Sequence, residues 1–93
     1  MEIDVDAYVK KVASRIQKFR KQKRMSQMDL ALEANISQGF LALIESCQKV
    51  PTITTIFKIA KALNVYPSSL LEDEKKSREQ KKKEIIKLIE KEL

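Results

Sequence analysis

The side chains that could do chemistry are few, and their types suit recognition better than reaction. Gln27, Ser37 and Gln38 place two carboxamides and a hydroxyl in one short stretch, and a carboxamide can donate and accept a hydrogen bond at once. Lys18, Arg20, Lys21, Lys23 and Arg24 crowd the segment just before it, and Lys49 follows it. A reactive centre would need more. The chain has no histidine, so the commonest general base and metal ligand is missing. No nucleophile is paired with a base, no metal-ligand spacing occurs, and no glycine-rich phosphate loop is present. Neither enzymatic activity nor a metal or other cofactor is expected. Cys47 is the only cysteine, which excludes an internal disulfide and fits a reducing cytosol. A redox role for it would require a depressed thiol pKa.

A chain of 93 residues has room for one domain, which at this size buries somewhat under about 70% of its unfolded surface. Its net charge is +6, and the distribution of that charge says more than the sum. Residues 1–24 carry eight Lys and Arg against three acids, 25–71 carry three against three, and 72–93 carry eight against seven. The excess therefore lies at the first helix, either as a footprint for a polyanion or as a solvated surface. No apolar run is long enough to span a bilayer, and the opening MEIDVDAYVKK is acidic and then amphipathic, so neither a membrane span nor a secretion signal is expected.

The elements that must position these groups are helical. In 27–46, QMDLALEANISQGFLALIES, the apolar residues Leu30, Ala31, Ala34, Ile36, Leu41 and Ile44 form two short stripes with the phase broken between them. That pattern predicts a helix, a sharp turn and a second helix. Ser26 with Asp29 three residues on reads as a capping box. Asn35 suits a left-handed bend, and Ser37 can cap the second helix, from Gln38 to about Ser46. Ala31 faces the bend and lets the two helices cross closely. Ahead of this pair, Val5, Val9, Val12, Ile16 and Phe19 mark one face of a helix from about Asp6 to Lys21, with Asp4 and Asp6 near its start and cations at its end. The stripe serves either the core of its own domain or a coiled-coil seam. After the pair, Thr52 can cap a helix from Ile53 to about Leu63, with Ile56, Ile59, Ala60 and Leu63 inward, Phe57 at the edge of that face and Asn64 as its stop. Pro67 opens a short fifth helix whose Leu70 and Leu71 are expected to seal the core.

The residues FRKQKRMSQMDLA, then ISQGFLALIE, then TIFKIAKALNV and PSSLL resemble the Cro and lambda-repressor family of helix-turn-helix regulators, from about Ile16 to Leu71. The resemblance implies an all-α, five-helix lambda-repressor-like DNA-binding domain over 1–71, with a charged C-terminal helix over 72–93. It implies that the helix from Gln38 enters the major groove, so that Gln27, Ser37, Gln38, Gly39, Ala42 and Leu43 face bases. Lys23, Arg24, Ser46 and Lys49 are then expected near phosphates. Gln38 is the best reader on that face, because a carboxamide matches adenine, whereas Gln27 is otherwise an ordinary polar first-turn residue. Ala42 and Leu43 stand where many relatives carry Gln, Lys or Arg; they either pack on thymine methyl groups or read nothing. Glu45 matches a family acid and is expected to hold a cation or backbone amides. Family members place a glycine at the Cys47 position, so a retained left-handed turn there would cost about 1 kcal/mol.

Beyond Glu74 the segment EKKSREQKKKE is wholly polar, and Ile85, Ile86, Ile89 and Leu93 then make an apolar face. A lone helix this short does not stabilise itself, so this face either pairs with another copy or folds back on its own domain. Pairing would set two reading helices about 34 Å apart on a palindromic site. The expected function is thus a homodimeric, DNA-binding transcriptional regulator, a repressor, located in the cytoplasm and on the nucleoid when bound to double-stranded DNA. Neither a membrane nor a small-molecule ligand is expected as a partner. The alternative is a protein-interaction adaptor or antitoxin on the same scaffold, favoured by the apolar Ala42 and Leu43.

Overall fold

Four of the five helices among the described residues begin at a side chain that caps them. The computed structural model describes residues 2–72, and these form α1 (Val5–Gln22), α2 (Gln27–Ala34), α3 (Gln38–Glu45), α4 (Ile53–Leu63) and α5 (Pro67–Leu71), with no strand among the described residues. Asp4 accepts from the Ala7 amide, Ser26 from Asp29, Ser37 from Phe40 and Thr52 from Thr55, at 3.0–3.2 Å. Each such cap contributes about 1 kcal/mol. The capping box at α2 is complete, because the Asp29 carboxylate also accepts from the Ser26 amide at 2.9 Å. That bond from the Ser26 amide, with a smaller contribution from the Ser26 side chain, favours the ionised form and lowers the Asp29 pKa below its ordinary value. α5 has no side-chain cap and relies on Pro67 to preset its first turn.

The helix ends share a different device. Arg24, Asn35, Cys47 and Asn64 all adopt left-handed backbone, with φ between 56° and 65°. At each one the following amide reaches back five residues: Met25 to the Arg20 carbonyl, Ile36 to Ala31, Gln48 to Leu43 and Val65 to Ala60, at 2.8–3.0 Å. This is the Schellman stop, and it satisfies carbonyls that would otherwise face nothing. Met25, Ile36 and Val65, which follow three of the stops, pack against the core. None of the four positions is a glycine.

Every helix contributes to one apolar core: Ile16 from α1, Leu30 from α2, Leu41 and Ile44 from α3, Ile59 and Leu63 from α4, and Leu70 from α5 are fully buried. α1 packs against α5, α3 and α4, so its stripe serves the core rather than a seam, and α2 packs against α4 and α3. Ala31, 1% exposed, lies under the α2–α3 bend, where its carbonyl receives the Ile36 amide. Four residues expected on the core face, Val5, Val9, Phe57 and Leu71, lie outside it. Val5 is exposed and Val9 half-buried because both lie in the opening turns of α1, ahead of Val12, where the buried face of that helix begins. Phe57 stands on the outer side of α4, since Ile56, Ile59, Ala60 and Leu63 complete the inner face. Leu71 is 42% exposed because neighbours on a helix point about 100° apart, and Leu70 occupies the inward direction. The expected C-terminal helix, with Ile85, Ile86, Ile89 and Leu93, lies outside the described residues.

Cys47 at φ 65° bears strain that a glycine would not. Cys47→Gly is expected to raise the free energy of unfolding by about 1 kcal/mol, read as a higher urea midpoint at unchanged slope.

Candidate nucleic-acid interface

α3 is held by its C-terminal end. Its last residue, Glu45, is buried, and its carboxylate accepts two hydrogen bonds from the Arg20 guanidinium of α1, at 2.9 and 3.0 Å. The third arm of Arg20 donates to the Met25 carbonyl at 3.0 Å, tying the same cation to the α1–α2 connection. Gln17 of α1 donates to the Glu45 carbonyl at 2.8 Å, and Gln27 at the start of α2 donates to the Glu45 carboxylate at 3.3 Å. Three helices therefore converge on one acid. No buried side-chain nitrogen or oxygen among the described residues lacks a partner, so this polar cluster meets the condition under which burial of charge is tolerated.

The other end of α3 stands free. Ser37, Gln38 and Gly39 are exposed, and Ala42 and Leu43 are half-buried along the same side. Phe40 packs on the edge of the core and Leu41 and Ile44 are wholly inside it, which fixes the rotation of the helix. Ser37 spends an acceptor on the Phe40 amide but keeps its hydroxyl hydrogen for another partner. A Cβ built at Gly39 would meet nothing within 4 Å among the described residues. Gln27 is half-buried beside Glu45, roughly 10 Å along the α3 axis from Gln38. Gln38 is thus exposed at the start of α3, whereas the Gln27 amide is committed to the Glu45 carboxylate at its end.

The cations divide into two groups. Arg20, the centre of the basic run in the sequence, is turned inward onto Glu45 and is only 12% exposed. Lys23 donates from its ammonium to the Leu63 carbonyl at the end of α4. Arg24 and Lys49 are exposed on the connections that precede α2 and follow α3. Ser46 is exposed, its hydroxyl donating to the Leu43 carbonyl at 3.2 Å. The ion pair escaped the sequence-based analysis, although Arg20 follows Phe19 on the flank of the α1 stripe and Glu45 is the only acid on α3. A cation beside a core face and a lone acid on a buried helix end are a pair to look for.

Two helices crossing at a left-handed bend, the second anchored by its tail and presenting a polar tip, define a helix-turn-helix nucleic-acid-binding module. The chain belongs to the helix-turn-helix family whose model matches residues 16–70. It is 35% identical over 63 residues to the immunity repressor protein of Bacillus phage phi105, a match covering 68% of this chain and 44% of that protein. The chain thus spans less than half the length of that curated relative. Among solved structures it is similar to the restriction-modification controller protein C.AhdI from Aeromonas hydrophila, at 28% identity and TM-score 0.67, covering 69% of this chain and 97% of that one. It is also similar to the N-terminal DNA-binding domain of SinR from Bacillus subtilis, at 30% identity and TM-score 0.64, covering 68% and 93%. SinR has been solved in complex with DNA as well, a structure matched at 31% identity and TM-score 0.63, covering 66% and 98%. No helix among the described residues is long and apolar enough to cross a membrane.

The anchor sets a measurable asymmetry. Arg20→Met should destabilise the domain by about 3 kcal/mol, because it leaves the Glu45 charge buried and unpaired. Combining it with Glu45→Leu should restore most of the loss in urea unfolding; a double variant as unstable as the single one would show that the cluster is not an ion-pair anchor.

Proposed function

We propose that this chain is a sequence-specific DNA-binding transcriptional regulator, acting as a repressor, that inserts α3 into the major groove. The observation that carries this reading is the projecting tip of α3, with Ser37, Gln38 and Gly39 exposed while Glu45 is locked into the domain. Gln27, Ser37, Gln38, Gly39, Ala42 and Leu43 face the base edges. Arg24, Lys49 and Ser46 meet the phosphates, and Lys23 can join them by releasing the α4 carbonyl it now holds. Repression follows from occupying promoter DNA, as the name of the phage relative suggests for that protein. The protein works in the cytoplasm and on the nucleoid. Segment 72–93 pairs with a second copy through Ile85, Ile86, Ile89 and Leu93, which joins two weak half-site contacts into one tight one.

A second reading, a protein-interaction adaptor on the same scaffold, is favoured by Ile53 and Phe57, which are exposed one turn apart on α4. Salt dependence separates the two, since only phosphate neutralisation releases counterions in number.

Duplex titrations with the full chain, on a site selected from a random pool, provide the test. Gln38→Ala should cost about 1–3 kcal/mol on the selected site and little on random DNA. Arg24→Ala should weaken both alike and reduce the slope of log affinity against log salt by about 1. Equal losses from Gln38→Ala on both duplexes would remove it as a reader, and a shallow salt slope for the unaltered chain would favour the adaptor. In sedimentation, the full chain should run as a dimer that Ile89→Asp converts to a monomer; an unaltered chain that stays monomeric at the concentrations of these titrations would defeat the pairing.

A further inference from the structure

Gly39 is the only glycine in the chain, and nothing among the described residues accounts for it. It does not have positive φ, so the backbone makes no demand that an L-residue could not meet. Nor does packing among the described residues require it, since an added Cβ would meet none of their atoms within 4 Å. Within a helix, glycine is less stable than alanine. The four positions where the chain would gain from glycine, namely Arg24, Asn35, Cys47 and Asn64, carry other residues. The gap over Gly39 is therefore useful to something that approaches from outside.

The surroundings say what that is. Ala42 and Leu43 lie three and four residues on, on the same face of the helix, and both are only half-buried. α3, QGFLALIE, has no lysine or arginine, so it lacks the usual partners of guanine O6 and N7. On the major-groove edges of the unmodified base pairs the one apolar group is the thymine 5-methyl. We propose that the gap over Gly39, bounded by Ala42 and Leu43, seats a thymine 5-methyl group while Gln38 beside it takes an adenine, so that each half-site is centred on A·T pairs. This rests on α3 being the segment that enters the major groove. Apolar contact replaces hydrogen bonding over the second turn of the helix, and Gly39 provides the room for it.

The test is a two-by-two comparison with the full chain. A site is selected from a random pool, and each thymine is replaced in turn by deoxyuridine, which removes only the methyl group. At one position per half-site, uracil should weaken the unaltered protein roughly fourfold, the equivalent of one buried methyl. Gly39→Ala fills the gap; it should weaken binding to the thymine duplex and show no further loss on uracil. The same substitution should leave the melting temperature unchanged or higher, since it adds a better helix former in open space. Additive losses, or the absence of any uracil-sensitive position in a selected site, would overturn the methyl seat and leave the regulator reading standing. Failure to select any site would overturn both.

Discussion

The pairing of Arg20 with Glu45 decides what the rest of the domain can present. Apolar contacts from Leu41 and Ile44 draw α3 onto the core, but hydrophobic burial is non-directional and tolerates small slides. The two-pronged bond from guanidinium to carboxylate tolerates little, because both partners are planar and the bonds are parallel. With the remaining arm of Arg20 on the Met25 carbonyl and Gln17 on the Glu45 carbonyl, α1, the connection to α2, and the end of α3 are held in one register. Desolvating two ions offsets much of what their attraction contributes, so the pair matters more for geometry than for net stability. That geometry leaves the first turn of α3 outside.

Between helices, the chain uses one stop four times and never with its own glycine. Asn35 and Asn64 suit the left-handed position, since a short polar side chain tolerates it, whereas Arg24 and Cys47 are strained there. The strain is tolerated because each stop settles two carbonyls and three of them direct the next residue, Met25, Ile36 or Val65, into the core. Apolar contact after a helix end is the usual companion of this motif. At α3 the following residue is the exposed Gln48, so the stop there has hydrogen bonds without that added burial.

What the sequence made legible follows from how local each signal is. Caps at Ser26, Ser37 and Thr52, the bend at Asn35, the stop at Asn64 and the start at Pro67 all depend on residues within a few positions, and each lies where the local pattern puts it. The core stripe of α4 was legible for the same reason. Departures arise where position along an element decides: Val5 overshoots the core, and Leu71 loses the inward direction to Leu70. Glu45 was recognisable as a structural acid, but its partner lies 25 residues away on a helix whose cations looked alike. Only packing separates Arg20, turned inward, from the exposed Arg24. The projecting face of α3 was visible as a spacing pattern, while the empty space over Gly39 was not, because emptiness is a property of the neighbours rather than of the residue.

The same ion pair has an electrostatic consequence for any polyanion. If α3 enters DNA as proposed, an ionised acid on it would repel phosphates, and a low-dielectric surround would lengthen the reach of that repulsion. Placing Arg20 against Glu45 at 2.9 Å turns the acid into one side of a near-neutral dipole facing the interior. The outer face of α3 then carries no formal charge, and the exposed cations Arg24, before α2, and Lys49, after α3, flank it in the chain. Such an arrangement separates two tasks. On the proposed reading, flanking cations would supply affinity that is blind to sequence and fades with salt, and the uncharged tip would discriminate among bases by fit. A cation on the tip would add affinity everywhere and blur that distinction, so a tip without a cation would favour selectivity over strength.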